Sequence, residues 1–149
     1  IILALNKESD LLGELKQLSK KISVIYDSTQ KVLASCDMAV VASGTATLEA
    51  AIFAKPMVVI YKSNKLSNFI LSNFFLKTKF ISLPNILSQE NIVFELRQNQ
   101  VSGKEITEKV ELTFKNQEII SKKLSSIRDS LLVTDSNKFS VALREILAK

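Results

Sequence analysis

Four residues in the first half of the chain have the types and spacing to hold a nucleotide: Ser43, Gly44 and Thr45 for an anion, followed by Glu49 for hydroxyl groups. They stand in Met38-Ala39-Val40-Val41-Ala42-Ser43-Gly44-Thr45-Ala46-Thr47-Leu48-Glu49, where an apolar run passes through small residues into a stretch with helical spacing. Gly44 permits close approach of backbone to a ligand, and Ser43 or Thr45 can cap the helix. The free N–H groups and positive dipole end of that helix form a cradle for phosphate. Glu49, four residues past Thr45, projects from the first helical turns, where a carboxylate can accept hydrogen bonds from both hydroxyls of a ribose. The same residues also describe an ordinary capped helix whose acidic side chain sits favourably in the dipole.

Two further segments carry polar groups at the ends of apolar runs. Lys55-Pro56-Met57-Val58-Val59-Ile60-Tyr61-Lys62 reads as a buried strand that presents Tyr61 and Lys62 at its carboxyl end. Lys62 is either a counter-charge for a diphosphate or a solvated surface lysine. Phe80-Ile81-Ser82-Leu83-Pro84-Asn85-Ile86-Leu87 reads as a strand stopped by proline, with Asn85 exposed at the strand end. Asn85 can donate and accept, as a ligand contact or as a turn-stabilising amide.

The elements that must position these residues follow from hydrophobic periodicity. Apolar runs of strand length recur at 1–5, 22–26, 38–42, 57–61 and 80–83, several of them β-branched and unbroken. Helical spacing fills 8–21, 28–35, 45–54 and 66–77 between them. This alternation predicts an α/β fold, a Rossmann-like parallel sheet flanked by helices. After Pro84 no further strand is expected, and 88–99, 104–126 and 137–148 read as a helical tail. Three glycines and two prolines mark no flexible linker, so one domain over 1–149 is expected. In an open parallel sheet the ligand crevice lies at the carboxyl ends of the strands, where the Ser43–Thr45 turn belongs.

Composition removes several classes of chemistry. The sequence has no histidine, which excludes a histidine base, a Ser-His-Asp triad and a histidine-ligated metal within these residues. The single cysteine, Cys36, permits no internal disulfide, makes a zinc site untenable and fits a cytoplasmic protein. It has no basic neighbour and reads as a small core residue. No metal or cofactor is implied. The first residue is not Met and the opening residues read as a strand already under way, so a fragment of a longer protein is expected.

The net charge is +5, and the excess sits in residues 51–100, with six basic and two acidic side chains. The stretch 62–79 carries four lysines, including Lys62 and Lys79, no acidic residue, and the apolar side chains Leu66, Phe69, Ile70, Leu71, Phe74, Phe75 and Leu76. Such a segment suits peripheral contact with an anionic membrane, or burial against the sheet or another subunit. It is too short to span a bilayer. Few aromatics are interleaved with the lysines, so nucleic acid is not the expected partner.

Three segments together resemble the lipid-A-disaccharide synthase family: Ala42-Ser43-Gly44-Thr45-Ala46-Thr47-Leu48-Glu49, Pro56-Met57-Val58-Val59-Ile60-Tyr61, and Lys77 through Ser82-Leu83-Pro84-Asn85-Ile86-Leu87. Their order and spacing agree with the family, and Glu95-Leu96-Arg97-Gln98 resembles its continuation. Ile60-Tyr61-Lys62 stands where members commonly have Gly-Tyr-Arg, so the planar guanidinium fork is replaced by a lysine. Gln89, Glu90 and Asn91 replace the usual Gly-Arg-Glu.

The resemblance implies the C-terminal half of a GT-B glycosyltransferase that transfers 2,3-diacylglucosamine from its UDP donor to 2,3-diacylglucosamine 1-phosphate. The products would be the β-1,6-linked disaccharide 1-phosphate and UDP. Carried over by residue, Ser43, Gly44 and Thr45 approach the diphosphate, Glu49 the ribose, and Asn85 the diphosphate or donor sugar. No catalytic residue is expected here, because the resemblance puts the carboxylate base and the acyl-chain pocket in an N-terminal half. By itself the fragment is expected to be inactive. A homodimer, and a place on the cytoplasmic face of the inner membrane, are compatible with it. The alternatives are another UDP-sugar transferase or epimerase, and a non-enzymatic α/β binding module.

Overall fold

Met57, Val58 and Val59 are consecutive and wholly inaccessible to solvent. Successive side chains on a strand point to opposite faces, so this strand is covered on both. It is β4 (Met57–Tyr61), the centre of a parallel sheet between β3 (Ala39–Ala42) and β5 (Phe94–Arg97). Ala39 pairs with Met57 and Ala42 with Ile60, while Val58 pairs with Phe94 and Tyr61 with Arg97. The carboxyl ends of all three strands therefore lie along one edge.

The structure, a computed structural model, describes residues 2–5, 23–26, 28–62 and 79–133. Where the sequence marks no boundary, the chain divides into two compact units, Ile1–Cys36 and Asp37–Lys149. In the first, β1 (Ile2–Leu5) pairs in parallel with β2 (Ser23–Tyr26), and α1 (Thr29–Ser35) packs on both through buried Leu33. The second holds the three-stranded sheet and four helices among the described residues: α2 (Thr45–Ile52), α3 (Leu83–Ser88), α4 (Gly103–Lys115) and α5 (Gln117–Val133). Helix α4 lies against β4 and β5, and α2 lies against β3, α3 and α5. Its core joins Val41, Met57, Val58, Val59 and Leu96 of the sheet to Ala50, Ala51, Ile120, Leu124 and Ile127 of the helices.

Three expectations are corrected. Residues 80–83 form no strand: Phe80 and Ile81 are buried in an irregular approach, Ser82 is the N-cap, and α3 begins at Leu83. Pro84 falls in the first helical turn, where its missing N–H forfeits no helical bond, so it starts a helix rather than only stopping a strand. The continuous helix expected over 88–99 is not formed either, and only a short 3-10 turn, Gln98–Gln100, follows the strand there. Helix α3 ends at Ser88 with Gln89 left-handed, and β5 follows because Ile92, Val93 and Phe94 favour extended backbone and β4 offers an open edge. The helix expected over 104–126 is two, broken at Asn116, whose side-chain amide donates to Leu112 O at 2.8 Å. The helices expected at 8–21, 66–77 and 137–148 lie outside the described residues.

Helix α2 stops in a paired reverse-turn motif without glycine. Lys55 N donates to Ala50 O at 2.9 Å and Ala54 N to Ala51 O at 2.8 Å, with Ala54 at φ +50°. Ser121 Oγ of α5 fixes that turn by donating to Ala54 O at 2.8 Å. A side chain in this conformation costs about 1 kcal/mol that glycine does not incur. Ala54→Gly is therefore expected to raise stability by about 0.5–1 kcal/mol, read as a higher urea midpoint with an unchanged slope.

Candidate functional site

The turn between β3 and α2 is shaped by Gly44, at φ +142° and ψ −159°. A Cβ there would meet nothing within 4 Å, so the restriction on other residues is backbone strain rather than a clash. Gly44 and Thr45 are exposed, and Ser43 is half-buried. Among the described residues the N–H groups of Gly44, Thr45 and Ala46 have no acceptor, as the first turn of a helix requires unless something outside supplies one. Three main-chain donors thus lie at the carboxyl edge of the sheet, at the positive end of the α2 dipole, beside the exposed Thr45.

Ser43 is differently engaged. Its N–H donates to Ile60 O at 2.9 Å, and its hydroxyl donates to Ile81 O at 3.2 Å. Both donors hold the protein together, so Ser43 donates to a ligand only by exchanging one of them. The first of these bonds also sets the turn beside the end of β4, where Tyr61 is half-buried and Lys62 exposed. Glu49 lies one helical turn beyond Thr45 on the same side of α2. It is half-buried, and its carboxylate makes no bond or ion pair among the described residues. Arg97, opposite Tyr61 at the end of β5, adds a half-exposed guanidinium to this edge. Ser43, Gly44 and Thr45 follow the end of β3, and Tyr61 and Lys62 stand at the neighbouring end of β4, joined by the Ser43 N–Ile60 O bond.

Asn85 is the correction. Expected at an exposed strand end, it is wholly buried. Its Oδ1 accepts from Ile92 N at 2.8 Å and Val93 N at 3.0 Å. Its Nδ2 donates to Val93 O at 2.9 Å, to Glu95 Oε1 at 2.9 Å and more weakly to Asn91 Oδ1 at 3.3 Å. A primary amide has two protons and two lone pairs, and all are used. The contact expected from Asn85 to a diphosphate or donor sugar has no free polar atom to make it.

The residue that organises this side of the sheet is Glu95, whose side chain is 6% exposed. Oε1 accepts from Ser82 N at 2.9 Å, Ser82 Oγ at 2.7 Å and Asn85 Nδ2, and Ile81 N lies 3.1 and 3.0 Å from the two oxygens. Oε2 takes Arg97 Nη2 at 2.8 Å, and the same nitrogen donates to Lys79 O at 2.8 Å. Burial by itself pushes the carboxyl pKa up. The Ser82 hydroxyl, Arg97 and the Ser82 and Ile81 N–H groups outweigh it and hold the pKa below the ordinary 4.5. The sequence noted Glu95 only within a motif and inside an expected helix. The signal that could have found it was the β-forming run Ile92-Val93-Phe94, which makes Glu95 a strand residue.

Residues 1–148 match the sequence profile of the family described as lipid-A-disaccharide synthetase. The chain belongs to that family. It is 34% identical over 128 residues to the lipid-A-disaccharide synthase of Colwellia psychrerythraea, a match covering 85% of this chain and 32% of that protein. With the Nitrosococcus oceani protein of the same name the identity is 43% over 100 residues, covering 67% and 26%. With that of Cellvibrio japonicus it is 42% over 97 residues, covering 65% and 25%. The chain therefore spans about a third or less of the length of these synthase relatives. No helix among the described residues is long and apolar enough to cross a membrane. The basic, apolar stretch singled out above lies, over 63–78, outside the described residues.

The lowered Glu95 pKa makes a prediction about acid. A carboxyl whose folded pKa lies below its unfolded value contributes stability that is complete above the unfolded value and lost as pH falls through the folded one. Glu95→Gln is expected to be less stable than wild type by roughly 2 kcal/mol near neutrality, as loss of hydrogen bonds to a buried charge implies. The difference should shrink steadily below pH 4.5. Urea midpoints measured from pH 7 to pH 3 check this, and parallel curves would contradict it.

Proposed function

We propose that this chain is the nucleotide-sugar-binding domain of an inverting glycosyltransferase that makes the lipid A disaccharide. The donor is UDP-2,3-diacylglucosamine and the acceptor 2,3-diacylglucosamine 1-phosphate. The acceptor hydroxyl oxygen bonds to the anomeric carbon as the bond from that carbon to the diphosphate breaks. The electron pair leaves on UDP, and the hydroxyl proton passes to a carboxylate base. The observation that carries this reading is the β3–α2 turn, in a chain of this family, with three main-chain donors that find no acceptor among the described residues, at the carboxyl edge of a parallel sheet.

Each group has a task in this reaction. The N–H groups of Gly44, Thr45 and Ala46, with the Thr45 hydroxyl, stabilise charge on the departing diphosphate, and Lys62 and Tyr61 flank it. Glu49, without a bond or ion pair among the described residues, accepts from the ribose hydroxyls. Glu95 is not the base: it is ionised, buried and fully engaged. By family resemblance the base belongs to the part of the relatives that this chain does not span.

Calorimetry on the full-length protein tests the reading. UDP is expected to bind and ADP to bind far more weakly, and Glu49→Ala should weaken UDP by about tenfold, or about 1.4 kcal/mol. Equal binding of the two nucleotides, or indifference to Glu49→Ala, would remove the donor-site assignment.

The lipid substrates and the basic, apolar composition of 62–79 support peripheral attachment to the cytoplasmic face of the inner membrane. Sedimentation with anionic phospholipid vesicles is expected to fall when Lys65 and Lys77 are both changed to Glu, and to fall further with added salt. Binding unaffected by either would place the attachment elsewhere.

A further inference from the structure

We propose that Glu95 is a positioning residue for the donor site: it fixes the 81–83 turn, and that turn in turn holds the Ser43–Gly44–Thr45 loop in register with the substrate diphosphate. The inference rests on the donor-site reading above and adds to it a residue that would not touch the substrate.

The chain of contacts is continuous. From β5, Glu95 binds Ile81 N, Ser82 N and Ser82 Oγ, so its carboxylate sets the path of this irregular segment. The same segment grips the β3–α2 turn at two points on either side of Gly44. Ile81 O accepts from Ser43 Oγ at 3.2 Å, and Leu83 N reaches Thr47 Oγ1 at 3.4 Å. Thr47, wholly buried, donates from that oxygen to Gly44 O at 2.7 Å. No side chain of α2's own N-cap holds the turn, since the cap is glycine. Its placement is therefore imposed from outside, by a segment that is itself imposed by Glu95. Arg97 and Asn85 complete the clamp by satisfying the remaining carboxylate lone pairs.

Main-chain donors act on a departing diphosphate only if they are held where charge develops, and misplacement by about 1 Å can cost up to a hundredfold in rate. Loss of the Glu95 charge leaves two N–H groups and a hydroxyl competing for a weaker acceptor. The segment then relaxes and Ser43 Oγ loses a fixed partner at Ile81 O. The expected signature is a defect confined to the donor and shared with Ser43.

The test uses the full-length protein and a double-mutant cycle on steady-state kinetics. Glu95→Gln is expected to raise the donor KM about tenfold and leave the acceptor KM unchanged. Ser43→Ala, which cuts the link between the two turns, should raise the donor KM as well. The double variant should be no worse than the more impaired single one, because both act through one path. A purely structural role would lower stability but leave the two effects additive, or would shift both KM values alike. Either result, or an unchanged donor KM in Glu95→Gln, overturns the proposal while selective UDP binding by wild type keeps the donor-site reading standing. Absence of selective UDP binding by wild type would remove that reading and the proposal together. Should Glu95→Gln fail to fold, Ser82→Ala removes only the 2.7 Å hydroxyl bond, and its cycle with Ser43→Ala is read by the same criteria.

Discussion

A carboxylate taken out of water must find donors for its lone pairs or give up its charge, and Glu95 finds them on three sides. Ile81 and Ser82 supply main-chain N–H groups, Asn85 an amide and Arg97 a guanidinium. Ile81 and Ser82 belong to a segment with no regular pairing of its own, Asn85 to α3 and Arg97 to the last strand of the sheet. The carboxylate thus does for residues 79–85 what ladder hydrogen bonds do for a strand. Because one buried charge satisfies several backbone groups at once, replacing it with an apolar side chain would strand those groups rather than simply remove an ion pair.

The same constraint explains why the candidate site is built mainly from backbone. The β3–α2 turn contributes N–H groups, the end of β4 anchors Ser43, and side chains such as Thr47 and Ser43 face inward to hold the turn. The other polar residues near that edge come from three separate places in the sequence: Thr45 and Glu49 from α2, Lys62 from the end of β4 and Arg97 from β5. A parallel sheet brings them to one edge because all its strands end there, and no local sequence pattern does so.

What the sequence made legible, and what it hid, divides along the same line. β1 to β4 were readable because apolar residues dominate their short runs, most clearly in the unbroken Met57-Val58-Val59-Ile60-Tyr61. The Ser43–Gly44–Thr45 turn was readable because the strand-to-helix change brackets a glycine. β5 was hidden, since Glu95 and Arg97 interrupt the apolar pattern with charges whose burial depends on partners more than ten residues away in the chain. Asn85 was misjudged for the matching reason: a polar residue after proline looks like an exposed turn unless the acceptors and donors that surround it are known. Periodicity reports which face is apolar. It does not report that a polar side chain has been fully satisfied inside.

The parallel order of the three strands also has a consequence for synthesis on the ribosome. β4 is the central strand, yet its second neighbour, β5, is made only after residues 62–93 have emerged. Until then β3 and β4 can pair but one edge of β4, flanked by Val58 and Val59, stays open, and such an edge can join a strand of another chain. Closing it requires the residues that carry Glu95. Burial of the vulnerable edge and organisation of the segment before α3 are therefore one event in time, and a chain interrupted before Arg97 would lack both.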